Sequence, residues 1–463
     1  MGACMYGYKL RRLLSGVAVS ILLNSNASAI AAPVDDFIKS EMRKLNIPGL
    51  SLAVIKDRKI IKLAGYGLAN VETGTPATPD SVYKIASLSK PFIATAVLLL
   101  VDENKVRLED KVSQYLDATP EAWKGITVRQ VLTHTSGIPR DPADYRPYEQ
   151  QKPAAVIAAA TKLPLSFPPG EKFLYSNVGY YILAQVIERA SGMPWESFVA
   201  GRVFKPAGLK VTQLLTASIV PWRASGYDLA DGQLVNAENW IASRPSAAFL
   251  SSVRDLAAWD IFMDTQNPLS SSSWTQMHTP PKLKDGQAGE YGLGWYVESY
   301  LGHSRIHHDG QYPGFRSAWE RFEDDKLTVI ILSNTGRPRL DSMSLKVAGY
   351  FASALVAPTF AVTTKLPAAV TVAGVPTNIG FTLQANKPAP KTVLELEIWD
   401  AQNKSVSKQN LTDQDVPGGE AKSFNFVWTP PKAGQYWVNL GIYGPKFSPN
   451  YSWREHAGAL TVE

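Results

Sequence analysis

A chain of 463 residues is long enough for two or three domains with an ample core. Charged residues are 19% and hydrophobic ones 45%, the balance of a globular protein rather than a disordered one. The net charge of +6 includes Lys9, Arg11 and Arg12 at the N-terminus, and no dense Lys/Arg run follows, so composition gives no support to a nucleic-acid partner.

The N-terminus joins a basic segment, Lys9 to Arg12, to an apolar one, Leu13 to Leu23, and then to Ala27-Ser28-Ala29. That order predicts a secretory signal over residues 1–29, with a second cleavage point after Ala31. The apolar part is shorter than the about 20 residues a membrane span needs, so no stable membrane insertion is expected after cleavage. The only cysteine, Cys4, precedes the apolar part, so the mature chain would have no disulfide, thiol catalysis or thiolate-bound metal. The expected location is secreted or periplasmic.

Val34, Phe37, Ile38, Met42 and Leu45 predict an amphipathic helix over Pro33–Leu45, ended before Pro48. Leu50–Ile55 and Ile60–Tyr66 read as a β-hairpin around Lys56-Asp57-Arg58-Lys59. Phe92 to Val101 is one apolar run, read as a buried helix starting near Ser87. Short helices are expected over Asp110–Tyr115 and Thr127–His134, and a surface loop over Arg140–Pro153. Further helices are expected over Gly179–Ser191, Trp195–Val203, Phe249–Phe262, with Ser251 or Ser252 as cap, and Ser344–Leu355. Arg305–His308, Arg316–Phe322 and Leu327–Asn334 read as a strand meander. Strands near both ends of this region with helices between them predict an antiparallel sheet flanked by helices. After Ala357 the pattern changes. Pro358–Pro367 reads as a linker, and residues 368–463 as short alternating strands such as Leu394/Leu396/Ile398 and Phe424/Phe426/Trp428, a β-sandwich of immunoglobulin-like type.

Three short motifs carry chemistry. Ser87-x-x-Lys90 places a hydroxyl and an amine on one helix face, with first-turn N–H groups nearby, the makings of an activated nucleophile. The spacing recurs at Ser81–Lys84 and Ser405–Lys408, but only Ser87–Lys90 leads straight into the apolar helix. Taken alone, a serine capping a core helix is the commoner meaning. Tyr175-Ser176-Asn177 is read as extended or loop, with Tyr175 and Asn177 pointing the same way. His308-Asp309-Gly310-Gln311 lies between two predicted strands.

In this order the three motifs resemble the serine β-lactamase and penicillin-binding protein superfamily, near class C β-lactamases, D-Ala-D-Ala carboxypeptidases and their esterase and aminopeptidase relatives. His134-Thr135-Ser136-Gly137, the Pro-Pro-Gly-Glu before Tyr175, Tyr291-Gly292-Leu293-Gly294-Trp295 and Pro313-Gly314-Phe315 add to the likeness, which covers Val34 to Leu355. The resemblance implies an α+β fold, an antiparallel sheet flanked by helices plus a helical subdomain, over residues 30–357. It implies Ser87 as acylated nucleophile, Lys90 as base or proton shuttle, and Tyr175 as proton relay. Asn177, His308, Gly310 and Gln311 would bind substrate, with the N–H groups of Ser87 and Gln311 forming the oxyanion hole.

His308-x-Gly310 stands where classical β-lactamases have Lys-Thr-Gly, and a histidine is mostly neutral at pH 7 unless a carboxylate such as Asp309 raises its pKa. Within this superfamily His-x-Gly resembles the esterase, amidase and aminopeptidase relatives, which implies hydrolysis of an ester, amide or D-amino-acid peptide bond, with weak or no β-lactamase activity. A small-molecule or peptide substrate is expected, cell-wall peptidoglycan among the candidates, and no cofactor or metal. His303 and His307 form no metal motif, and no Gly-x-Ser-x-Gly elbow appears. The rival reading is a catalytically weak or inactive protein of this kind that binds cell-wall glycan, peptide or a protein partner.

Overall fold

The computed structural model describes residues 32–463 except 142–145, 147, 217, 242–243, 267 and 368–370. The signal expected over 1–29 lies outside the described residues, as does part of the Arg140–Pro153 loop. The described chain divides into two compact units, one running up to Ser299 and over His303–Ser353, the other comprising Tyr300–Gly302 and Ala354–Glu463.

In the first unit, helix α1 (32–44) leads into strands β1 (Gly49–Lys56) and β2 (Lys59–Asn70). Asp57 and Arg58 both have φ near +55°, at 50° and 61°, the two-residue turn whose twist suits a tight hairpin. With β3 (Thr75–Pro76), β4 (Tyr296–Tyr300), β5 (His303–Tyr312), β6 (Phe315–Phe322) and β7 (Leu327–Ser333) they form a seven-stranded sheet of order β3-β2-β1-β7-β6-β5-β4. The first and last parts of the unit thus meet at its centre, with Val54 opposite Val329. The meander forms, but β5 runs on to Tyr312, so the His308–Gln311 motif, expected between two strands, lies within one, His308 facing Trp319 and Gly310 facing Ser317.

Helix α2 (Ser89–Asp102) is buried on almost every side, as its uninterrupted apolar run requires. The Phe92 ring meets Phe204 and Phe249 edge-on, at 5.3 and 6.0 Å, and lies 6.4 Å from Trp319 of the sheet. Helix α3 (Asn177–Ser191) packs against α2, and Thr127 caps the short helix Val128–Leu132 through a reciprocal capping box with Gln130. Helices α4 (Val253–Gln266) and α5 (Asp341–Phe351) pack on the sheet.

Three local expectations change. Ser87 lies in a 3-10 turn, Ala86–Leu88, and the α-helix begins two residues later. Phe249–Ser251 is a short strand pairing with Tyr83–Lys84, because those residues extend a small sheet beneath the Ser87 turn; the helix starts after Ser252, whose Oγ accepts from the Asp255 N–H at 3.2 Å. Asn177 opens α3 instead of lying in an extended segment, since Ser176 Oγ accepts from the Gly179 N–H and caps that helix.

The second unit holds two antiparallel sheets. One contains β8 (Phe360–Lys365), β9 (Thr377–Ala385) and β12 (Ala421–Trp428), in the order β8-β9-β12. The other contains β10 (Ala389–Asp400), β11 (Ser405–Val416), β13 (Gly434–Tyr443) and β14 (Asn450–Val462), in the order β11-β10-β13-β14. Both contribute to a single apolar cluster in which Phe381, Phe424 and Phe426 join Leu396, Ile398 and Val438. The stretch Pro358–Pro367 is not a linker: Phe360–Lys365 pairs in register with β9, Phe360 opposite Ala385 and Lys365 opposite Gly380. Phe360 packs into the cluster with Val362 against it, so the alternation that makes a strand was present in a segment punctuated by prolines.

Among the described residues no helix is long and apolar enough to cross a membrane. His303 Nδ1 lies 2.8 Å from Asp325, and His307 Nε2 lies 3.3 Å from Glu298, so the two histidines face different carboxylates.

Candidate active site

The residue before Ser87, Ala86, is held at φ +52°, which turns the chain sharply out of the Tyr83–Lys84 strand and leaves Ser87 partly open to a cavity of about 620 Å³. Strand β5 presses against this turn. A Cβ at Gly310 would stand 2.6 Å from the Ile85 carbonyl oxygen and closer still to Ser317 Oγ, so only glycine fits there. Ser317 Oγ in turn donates to that Ile85 carbonyl at 2.9 Å, tying strand and turn together. Gly294, at φ +88°, rests on the far side of the helix start, where a Cβ would crowd Ala94 and the Lys90 carbonyl.

Lys90 is fully buried. Its Nζ lies 3.0 Å from Ser87 Oγ, 3.1 Å from Asn177 Oδ1 and 2.9 Å from the Ser246 carbonyl. Burial holds its pKa well below that of an ordinary lysine; Arg244 pushes the same way, while Asp141 opposes. Favouring the free amine fixes the hydrogen-bond pattern. Two of the three neighbours, Asn177 Oδ1 and the Ser246 carbonyl, can only accept, and they take both N–H groups of a neutral amine. The lone pair is then left for Ser87, whose hydroxyl can donate to it. Asn177 is oriented by Asp141, which accepts from its Nδ2 at 3.0 and 3.1 Å, and Asp141 is paired with the buried Arg244.

The Tyr175 ring stands 4.6 Å from Lys90 Nζ, and its phenol hydrogen-bonds Ser87. Burial raises the Tyr175 pKa well above 10, and the bond to Ser87 offsets this only in part. Burial disfavours the charged form of both side chains, the ammonium of Lys90 and the phenolate of Tyr175. The His134 loop sets the motif. His134 Nδ1 accepts from the Ser176 N–H at 3.1 Å and its carbonyl from the Leu174 N–H at 2.9 Å, while its ring packs 4.3 Å from that of Tyr175. Arg140 continues the clamp, its carbonyl accepting from the Asn177 N–H at 2.8 Å.

His308 is 1% exposed. Its Nδ1 donates to the Asp309 carbonyl at 2.6 Å, so its Nε2 accepts from the Tyr291 hydroxyl at 2.9 Å. Both partners suit the neutral ring. Burial drives its pKa down to about 3, outweighing the attraction of Asp309 that sequence reasoning had allowed for. The ring lies behind the cavity wall, whereas Asp309 and Gln311 face the cavity.

Ser87, Lys90, Tyr175 and Asn177 therefore meet at one end of the cavity, with Gln311 on its wall and Gly310 against the Ser87 turn. No sequence motif singles out Asp141, Arg244 or Ser246. Asp141 lay in what read as a surface loop, and the other two in a segment with no regular pattern. Glu238, Trp240 and Tyr296 complete the cavity wall.

An α+β fold with a buried amine beside a serine at a helix start defines the chain as a β-lactamase/transpeptidase-fold protein. A sequence profile of the β-lactamase family matches residues 34–348, and the chain belongs to that family, within the serine β-lactamase and penicillin-binding protein superfamily. It is 30% identical over 295 residues to a penicillin-binding protein of Bacillus subtilis, covering 58% of this chain and 64% of that protein. It is 29% identical over 313 residues to a D-aminopeptidase of Brucella anthropi, covering 65% and 59%. The chain thus spans about three fifths of the length of these relatives. Among solved structures, a penicillin-binding protein homologue from Pyrococcus abyssi matches with a TM-score of 0.63 at 20% identity, covering 90% of this chain and 99% of that one. A D-amino acid amidase from Ochrobactrum anthropi SV3 matches with a TM-score of 0.61 at 22% identity, covering 71% and 98%. Those two likenesses concern the fold.

Proposed function

We propose that the protein is a serine hydrolase that cleaves an amide or ester bond through an acyl-enzyme on Ser87. The observation that carries this is the Lys90 amine, whose N–H groups are taken by Asn177 and Ser246 beside Ser87 Oγ. As Ser87 Oγ attacks the scissile carbonyl carbon, its proton passes to Lys90 Nζ. The developing oxyanion sits between the N–H groups of Ser87 and Gln311; loss of one such donor costs about 3–4 kcal/mol in the barrier. Collapse breaks the bond to the leaving group, which takes its proton through Tyr175. Water then attacks the acyl carbon, and Ser87 regains its proton.

The relatives support D-amino-acid amides and peptides as the first substrates to try, with simple esters beside them. A neutral, buried His308 supplies no cation for the carboxylate of a β-lactam, so lactam turnover is expected to be weak or absent. The N-terminal pattern supports export to the periplasm or exterior, and the two sheets of the second unit support an immunoglobulin-like sandwich beginning near residue 358.

The test is intact-mass analysis after treatment with a fluorophosphonate. One adduct on the wild type and none on Ser87→Ala is expected, with ester turnover lost alongside. Wild-type ester turnover equal to that of Ser87→Ala would refute the reading.

A further inference from the structure

A second cavity, of about 430 Å³, adjoins the catalytic one and shares Glu238 and Pro313 with it. Two cations line it, Lys84 and Arg223. Lys84 is 4% exposed, and its Nζ donates to Asn239 Oδ1 at 3.1 Å and to the Trp240 carbonyl at 2.9 Å. An ammonium has three N–H groups, so one remains. Arg223 is half-buried, and its guanidinium makes no hydrogen bond or ion pair among the described residues. Neither cation is paired with a carboxylate there. Glu238, on the shared wall, is engaged by Trp240 Nε1 at 2.8 Å and by the Tyr148 hydroxyl.

Buried charges in proteins are as a rule paired, because an uncompensated one costs several kcal/mol. Here two cations stand close enough to repel each other. Burial and then the Arg223 charge draw the Lys84 pKa down to about 8, and burial lowers that of Arg223. The surroundings of Lys84 are otherwise acceptor oxygens and the ring faces of Tyr312, at 4.9 Å, and Phe315, at 5.7 Å. All of these hold a cation in place without neutralising it.

We propose that Lys84 and Arg223 form a subsite for a small oxyanion, a carboxylate or phosphate group, in the cavity beside the catalytic one. The guanidinium fork and the spare ammonium N–H supply charge-assisted donors from two sides. The shared wall makes the carboxylate end of a substrate bound at Ser87 the first source of that group, and a free inorganic anion the second. Lys84 and Arg223 touch none of the reacting atoms, so they position and select. Lys84 also holds Asn239 and Trp240, which makes the anion and the catalytic wall parts of one assembly.

The experiment uses the full chain. Inorganic phosphate is titrated by calorimetry at ionic strength held constant with chloride. One site is expected on the wild type, weakened about 10-fold or more in Arg223→Gln and kept in Arg223→Lys. Lys84→Met is the second variant, read the same way. In parallel, p-nitrophenyl butyrate is compared with the p-nitrophenyl monoester of glutarate. If the anion belongs to the substrate, Arg223→Gln loses about 10-fold in kcat/KM on the glutarate ester, mainly through KM, and stays within about two-fold on the butyrate. Phosphate binding lost in Arg223→Gln without that selective kinetic loss assigns the site to a free anion. No phosphate binding by the wild type, or equal binding by Arg223→Gln, overturns the proposal. The kinetic arm rests on the acyl-enzyme reading and the calorimetric arm does not, so absent hydrolysis with intact phosphate binding would sink that reading alone.

Discussion

Asp141→Asn separates a positioning network from a decorative one. In the wild type the Asp141 carboxylate accepts both hydrogen bonds offered by Asn177 Nδ2, at 3.0 and 3.1 Å, and neutralises Arg244. The variant keeps a carbonyl oxygen for one of these donors and loses the other bond together with the charge. A hydrogen bond to a charged group is worth about 1.5–3 kcal/mol, so kcat/KM should fall about 10- to 100-fold as Asn177 loses its fixed orientation toward Lys90. The pH profile carries the sharper prediction. Asp141 raises the Lys90 pKa and Arg244 lowers it. Removing the carboxylate leaves Arg244 uncompensated, so both effects favour the free amine. Because the active form is the free amine, activity rises with pH through the Lys90 pKa, and in Asp141→Asn that rise should move to lower pH. Initial rates on a p-nitrophenyl ester from pH 5 to 10, with a thermal melt to confirm folding, measure both quantities. A rise displaced to higher pH, or an unchanged profile with kcat/KM within two-fold, would refute the reasoning.

Gly310→Ala should cost about 1–3 kcal/mol of stability and most of the acylation rate, because the added methyl meets not only Ser317 Oγ but also the backbone carbonyl of Ile85, which cannot swing aside; urea melts and fluorophosphonate labelling check the two effects. His308 and His278, each buried and drawn down to about 3, stay neutral in the folded protein while the unfolded chain gains protons below about pH 6.5. Their contribution is complete above that pH and is lost as the pH falls toward 3, at most about 4–5 kcal/mol for each. Urea unfolding at pH 7, 5.5 and 4.5 should show stability falling steadily, and a His308→Gln variant should fall less steeply over the same range. Equal slopes would remove His308 from the account. Esterase activity, for its part, should show no step attributable to the His308 ring above about pH 4.

Much of this fold was legible because it is written in local chemistry. The Asp57-Arg58 turn, the α2 apolar run and the β-rich runs of the β5–β7 meander each depend on neighbours within a few residues. The pairing of Ser87 with Lys90 was legible for the same reason, since both lie within one turn of chain. Where the reading slipped, local signals competed. Prolines made Pro358–Pro367 look like a linker although Phe360 and Val362 mark a strand, and the apolar Phe249–Leu250 pair looked like the start of the helix it precedes.

The sequence by itself settled which side chains could form a nucleophile and base, and which family they belong to. Only the tertiary structure decided their charge. Lys90 is a candidate free amine because Asn177, 87 residues away, and Ser246, 156 away, close over it and exclude water. His308 is neutral because burial exceeds the pull of the adjacent Asp309, a balance that adjacency alone leaves open. Lys84 and Arg223 acquire meaning only when folding brings them to one cavity without a counter-ion. Covalent order fixes what each residue can donate or accept. The cost of a charge is set by everything packed around it, and most of that arrives from far along the chain.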